Sequence, residues 1–291
     1  MSDIKLFNPG HTACAGCGQS LAARLVLEAA GKNTIVANNT GCLEVFSTYY
    51  PQTAWGTPWI HSLFENCAAV ASGIEAALIY LKKTDTNIIA QGGDGGTADI
   101  GLQALSGMFE RGHNILYVCY DNEAYMNTGV QRSGLTPFGT NTTTSPVGLQ
   151  AHGNKRPKKN IVEIAASHRI PYSASASVGY PQELQKKVQK ALSIKGPKYI
   201  QIHVPCPLGW RSNPSQTIEI AKLAVETGLY PIIEYEYGDL VNSKKLLKPK
   251  PVTEYLKLQK RFKHLFAENA KQEMEEIQKI ADDNIKRYKL I

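Results

Sequence analysis

The sequence predicts an α/β fold with a doubly wound, mostly parallel sheet. Three observations carry that prediction. From residue 18 to about 236, helix-periodic apolar stretches alternate with short β-rich runs. Those runs, such as NIIAQ and NILYVCY, lack polar alternation, as expected of central strands covered by helices on both faces. A glycine-rich turn, GGDGG at 92–96, joins one of the strands to the following helix, and open α/β sheets bind ligands just beyond the carboxyl ends of their strands.

The elements follow in order. A helical pattern over 18–31 feeds the strand TIVAN at 34–38, and the Ala-rich helix 66–83 feeds NIIAQ at 87–91. After the glycine turn comes a helix over 98–111, then the strand NILYVCY at 114–120. The rhythm resumes with helix 160–168, strand 171–176, helix 181–194, strand 198–204, helix 215–227 and strand 230–235. Residues 121–159 form a loop too long and too rich in Gly, Thr and Asn for a plain connection, which marks it as a functional loop or lid. A second loop, PCPLGWRSNP at 205–214, contains a cysteine. The Lys/Pro stretch KKLLKPKPV begins a boundary, giving an expected α/β domain at 1–243 and a basic, helical tail at 244–291.

With 43% hydrophobic and 20% charged residues, the 291-residue chain can bury a large core. It has no apolar run of 18 residues to span a bilayer, and MSDIKLFNPG does not read as a signal peptide, so a soluble, cytoplasmic protein is expected. The net charge of +7 is no nucleic-acid footprint, because 13 Lys/Arg against 7 Asp/Glu in 244–291 account for about +6 of it. Six cysteines without a secretion signal read as reduced thiols, which favours metal or redox chemistry over a disulfide framework.

The glycine turn holds an acid, Asp94. Neither the dinucleotide pattern nor the Walker pattern is present. Gly93, Gly95 and Gly96 would let a diphosphate approach the backbone at a helix start, but a carboxylate there repels it unless a divalent cation lies between. Mg²⁺ then wants a second ligand, and Asn122, 28 residues further on, follows the next strand. This spacing resembles the thiamine diphosphate motif. The resemblance implies that Asp94 and Asn122 bind Mg²⁺ through their side chains and Ala124 through its carbonyl. It further implies that Asn127 lies near the diphosphate and the reacting centre, with Glu123 and Tyr125 in the same cofactor-binding turn.

HTACAGCGQSLAARL at 11–25 presents Cys14 and Cys17, for which metal, redox exchange and a disulfide all fit locally. Cys42 in NNTGCLEV and Cys206 in HVPCPLGW bring the thiols to four, a set that suits a [4Fe–4S] cluster or structural zinc. Cys67 and Cys119 lie in apolar runs and read as core. His11 and His61 read as structural or as polar lining, and Trp55, Trp59 and Trp210 as core or interface.

Together with WIHSLFEN, GGDGGTADIGLQALSGMFERGH and YDNEAYMNTGVQRSG, these motifs resemble the β subunits of pyruvate:ferredoxin oxidoreductases, within the 2-oxoacid:ferredoxin oxidoreductase family, over residues 10 to about 265. The resemblance implies a thiamine diphosphate-binding fold of the diphosphate-domain type. It assigns Cys14, Cys17, Cys42 and Cys206 to a [4Fe–4S] cluster and places Gln19, Gly41 and Cys42 at the thiamine cofactor. Gln19 stands where longer members have a cofactor-contacting glutamate. The implied reaction takes pyruvate, CoA and oxidised ferredoxin to acetyl-CoA, CO₂ and reduced ferredoxin, reversibly. The chain has neither a second α/β domain nor the eight further cysteines of a two-cluster ferredoxin domain. The implied partners are therefore an α subunit with the pyrimidine-binding domain, a γ subunit and a ferredoxin-like δ subunit, with no nucleic acid and no membrane. Alternatives are a sister enzyme for branched 2-oxo acids, 2-oxoglutarate or oxalate, and a non-catalytic, metal-stabilised scaffold.

Overall fold

The computed structural model describes residues 5–149 and 152–291. Helix α1 (Gly18–Ala30) leads into β1 (Thr34–Asn39), α2 (Cys42–Ser47) and β2 (Trp59–Ser62). Then come α3 (Cys67–Tyr80), β3 (Asn87–Gly93), α4 (Asp94–Ala98), α5 (Leu102–Glu110) and β4 (Leu116–Asp121). Beyond the long loop lie α6 (Ile161–Ser167), β5 (Tyr172–Ser177), α7 (Pro181–Ser193) and β6 (Lys198–His203). The chain continues through α8 (Pro207–Trp210), α9 (Thr217–Glu226), β7 (Ile233–Glu236), β8 (Asp239–Ser243), α10 (Val252–Leu256) and α11 (Lys271–Arg287).

The eight strands form one sheet in the order β2-β1-β3-β4-β6-β5-β7-β8. The first six are mutually parallel, while β7 and β8 pair antiparallel at one edge. Every residue of β4, β5 and β6 is buried, so these strands have helices on both faces and no polar alternation to show. One core layer packs α1 and α7 on the sheet through residues such as Val26, Leu27, Leu184 and Val188. The other packs α3, α5 and α6 through Ala71, Leu105, Met108 and Val162. Helix α1 stops at Gly31, whose φ of +81° lets its N–H reach Leu27 O at 2.9 Å.

The expected helix at 98–111 is instead two helices, beginning at Asp94. Asp99 leaves helical geometry at φ −112°, ψ −88°, and its carboxylate accepts hydrogen bonds from Gly134 N–H at 2.9 Å and Lys159 Nζ at 2.7 Å. The break ties the long loop to the glycine turn. The expected strand at 230–235 starts late, at Ile233, because Pro231 has no N–H to give to the ladder. Two short elements, α2 and the edge strand β2, carry no readable period; Ile60 and His61 of β2 face solvent.

Residues 244–291 fold back onto the body. Val252, Tyr255, Phe262, Leu265, Ile277 and Ala281 share a core with Trp210, Ile220 and Leu223. Each large apolar side chain buried this way contributes about 1.5–3 kcal/mol, so the segment is firmly attached. Among the described residues no helix is long and apolar enough to cross a membrane.

The topology positions the site. From β1 the chain moves outward to β2 and returns to β3 on the other side of β1, which makes the carboxyl ends of β1 and β3 a switch point. The adjacent strands β1, β3, β4 and β6 end at Asn39, Gly93, Asp121 and His203, and Cys42, Asp94, Asn122 and Cys206 follow within three residues of those ends.

Candidate cofactor and cluster site

A cleft lies at these strand ends. It gathers Gln19, Gly41, Cys42, Gly93, Asp94, Gly95, Gly96, Asn122, Ala124, Tyr125 and Asn127 from four separate segments, with Phe64 and Met126 beside them. The glycines permit close approach: a Cβ on Gly95 would enter the Tyr125 ring, and one on Gly96 would lie 2.8 Å from Asn39 Nδ2. Tyr125 OH in turn donates to Gly95 O and Asp99 Oδ2, both at 3.2 Å. Asn127 is exposed at the cleft.

Asp94 is 1% exposed, and the Ser133 hydroxyl donates to its Oδ2. Burial, and secondarily the charge of Asp121, push its carboxyl well above the usual carboxylate range. Its Oδ1 faces the Asn122 carboxamide at 2.9 Å, and the same end of that carboxamide lies 2.7 Å from the Ala124 carbonyl oxygen. With the amide nitrogen turned inward, Asn122 donates to both. With the oxygen inward, three oxygens face one another, an arrangement that a cation stabilises. Neighbouring ligands of an octahedral Mg²⁺ with bonds of about 2.0–2.1 Å stand about 2.9 Å apart, so the spacing fits that ion. Gln19, 4% exposed, has no hydrogen-bond partner for its Oε1 among the described residues and lines the same cleft.

Glu123 is turned the other way. At φ +69° it lies between Asn122 and Ala124 with its side chain in the protein interior, paired with Lys158 at 2.9 Å and Arg261 at 2.5 Å. It borders a second, larger pocket lined by Tyr230, Tyr255, Phe262 and Ile277 rather than the cleft. Lys158 also pairs with Asp121 at 2.7 Å, and the two carboxylates hold its ammonium above the ordinary lysine range although burial opposes this. Sequence reasoning missed Ser133, Lys158 and Arg261. The composition of the long loop flagged the region of the first two; the third had no local signal.

The Cys14–Cys17 turn closes through Cys17 N–H to Cys14 O at 3.1 Å, and Gly18 N–H donates to Pro205 O at 3.1 Å. A Cβ on Gly18 would lie 2.9 Å from Pro205 N, so glycine there lets the two cysteine loops touch. Thr217 Oγ1 adds a hydrogen bond to Gly16 O at 2.6 Å. Cys206 caps α8, its Sγ accepting Gly209 N–H at 3.4 Å, and Cys42 opens α2. Burial pushes the Cys42 thiol up to about 12, and Cys206, Cys17, Cys14 and Asp94 all push in the same direction. Burial likewise lifts Cys206 to about 11, with Cys17 and Cys14 adding to it.

Among the described residues no three His, Cys, Asp or Glu side chains converge closely enough to hold one metal ion. A [4Fe–4S] cluster puts a different iron under each thiolate, so its ligands do not meet at a point, as four zinc ligands must. Cys67 and Cys119 stand apart in the core, 1% and 0% exposed, as the sequence indicates. Trp55 and Trp210 are likewise buried.

Residues 39–202 match the family described as "Thiamine pyrophosphate enzyme, C-terminal TPP binding domain". Pyruvate synthase subunit PorB of Methanosarcina barkeri is 57% identical over 97% of this chain and 96% of its own length. The PorB subunit of Methanocaldococcus jannaschii is 56% identical over 96% and 95%. Ketoisovalerate oxidoreductase subunit VorB of Pyrococcus abyssi is 49% identical over 97% and 92%. Among solved structures, a chain of the 2-oxoglutarate:ferredoxin oxidoreductase from Magnetococcus marinus shares the fold at a TM-score of 0.58 and 21% identity, covering 76% of this chain and 81% of that one. By full-length similarity and by the domain it carries, the chain belongs to the PorB family of pyruvate synthase subunits, on a thiamine pyrophosphate-binding fold.

Proposed function

We propose that this chain is the β subunit of a pyruvate:ferredoxin oxidoreductase, carrying the diphosphate half of the thiamine diphosphate site and a [4Fe–4S] cluster beside it. One observation supports the reading: Cys42, Asp94, Asn122 and Cys206 follow the ends of four adjacent strands, Cys42 lines the same cleft as Asp94, Asn122 and Ala124, and the Gly18–Pro205 hydrogen bond joins the Cys14–Cys17 turn to the Cys206 loop. When bound, thiamine diphosphate supplies the carbon centre at which a 2-oxo acid loses CO₂, and the cluster takes the remaining electrons one at a time.

The chain's own residues bind and orient. Asp94, Asn122 and the Ala124 carbonyl would hold Mg²⁺ against the diphosphate, and the open backbone at Gly93, Gly95 and Gly96 would admit it. Gln19 and Asn127 would face the bound cofactor. The glutamate that activates the pyrimidine and the groups that hold pyruvate and CoA belong to partner chains: an α subunit with the pyrimidine-binding domain, a γ subunit and a ferredoxin-like δ subunit. We place the complex in the cytoplasm.

Anaerobically purified protein should carry four irons per chain. Cys14→Ala and Cys206→Ala should lose the cluster's visible absorbance, while Cys67→Ala keeps it, because Cys67 is in the core beside Tyr117. Stoichiometric zinc without iron would overturn the electron-transfer reading.

A second reading, oxidation of branched 2-oxo acids, has the 49% identity to the VorB subunit in its favour. An anaerobic panel on the assembled complex separates the two. Pyruvate should give the highest kcat/KM, and a higher value for 3-methyl-2-oxobutanoate would transfer the chain to the second reading.

A further inference from the structure

We infer that Arg261, in the carboxyl-terminal segment, is a positioning residue that clamps the Mg²⁺-binding turn to the Cys206 loop; this rests on the cofactor reading above. Arg261 is 4% exposed, although the segment that carries it is strongly basic and otherwise reads as solvated charge. Its Nη2 lies 2.5 Å from Glu123 Oε2, its Nε donates to Gln259 Oε1 at 2.9 Å, and its guanidinium carbon sits 3.7 Å from the centre of the Trp210 ring. Trp210 follows Cys206 by four residues, and its indole N–H donates to the Asn122 backbone carbonyl at 2.8 Å. One guanidinium therefore holds both the side chain between the two metal-site residues Asn122 and Ala124 and the indole that fixes the first of them.

The backbone at this point needs holding. Glu123 has φ +69°, a left-handed conformation that costs a non-glycine residue about 1–3 kcal/mol and persists only where surrounding contacts enforce it. Those contacts are Arg261 and Lys158 on the side chain and Thr136 Oγ1 on the carbonyl at 2.7 Å. Charge gives a second reason. Glu123 pairs with both Lys158 and Arg261, and Lys158 also pairs with Asp121. Without Arg261, the buried Glu123 loses one of its two cationic partners, and the stack that orients Trp210 is lost.

Removing a residue that orients a metal ligand typically costs about 10–100-fold in affinity. The test measures Mg²⁺-dependent thiamine diphosphate affinity in the assembled complex for the wild type, Arg261→Met, Arg261→Lys, Glu123→Gln and Asp94→Ala, with iron content and thermal midpoint measured alongside. Arg261→Met and Glu123→Gln should each weaken binding within that range with iron content unchanged, and Arg261→Lys should recover most of the affinity by keeping a cation beside Glu123. Wild-type affinity in both Arg261→Met and Glu123→Gln overturns the inference. So does equal weakening by Met and Lys in step with a fall in thermal midpoint, which would make Arg261 merely structural. If the wild type and Asp94→Ala bind alike, the metal-site reading itself fails, an outcome distinct from the other two.

Discussion

Asp94→Ala removes Mg²⁺-dependent thiamine diphosphate binding and leaves the cluster in place. The carboxylate is buried, its Oδ2 is fixed by Ser133, and its Oδ1 lies 2.9 Å from the Asn122 carboxamide, where the proposed Mg²⁺ would sit. A buried cation that loses its only anionic protein ligand forfeits about 3–5 kcal/mol, roughly a thousandfold in affinity. The four thiols are held by the 14–18, 42 and 205–217 backbone, which the substitution does not touch. Calorimetry with Mg²⁺ and thiamine diphosphate should therefore give no measurable heat for the variant, while its iron content stays at the wild-type value. Unchanged affinity would remove Asp94 from the site.

The chain by itself turns over no pyruvate, even when loaded with thiamine diphosphate, Mg²⁺ and a full cluster. The described residues form one sheet with a single cleft of this kind at its strand ends, and Asn127 and Thr128, which line that cleft, are exposed. Losing a positioned general acid or base costs about 10²–10⁴-fold, and losing half of the pocket removes substrate orientation as well. Adding the chain with the pyrimidine-binding domain should restore pyruvate-dependent reduction of an artificial dye if, as proposed, this subunit holds the cluster nearest the cofactor. Natural ferredoxin should additionally require the ferredoxin-like chain. Turnover by this polypeptide alone at a rate comparable with the complex would place the active site wholly within it.

The parts of the fold and site that were legible in the sequence are those governed by local backbone demands. The strands β3 and β4 and the GGDGG turn announce themselves because buried parallel strands allow little but Val, Ile and small residues, and because an acid among glycines has few purposes. Asn122 is singled out by its spacing from Asp94, and the fold sets the two side chains 2.9 Å apart; Cys14, Cys17, Cys42 and Cys206 are singled out by residue type alone, and their role as cluster ligands is part of the proposal. What stayed hidden depends on contacts between distant segments. Glu123 reads as part of the cofactor turn, yet its left-handed backbone sends the side chain toward Lys158 and Arg261, 35 and 138 residues away. Arg261 gives no sign of burial, since an arginine in a lysine-rich segment is locally the same whether it meets water or Trp210. The break at Asp99 escaped notice for a similar reason: the helical period runs through it, and the groups that recruit its carboxylate, Gly134 and Lys159, lie in the long loop.

The most direct test of the account is the visible absorbance of this chain, loaded anaerobically with iron, Mg²⁺ and thiamine diphosphate and paired only with the chain that carries the pyrimidine-binding domain. On addition of pyruvate the account predicts one-electron bleaching of the cluster band, with acetyl-CoA formed once CoA and an oxidised artificial dye that takes up the electrons are added, and no bleaching in the Asp94→Ala variant. A fully loaded assembly whose cluster band does not respond to pyruvate, or responds equally without Asp94, would contradict it.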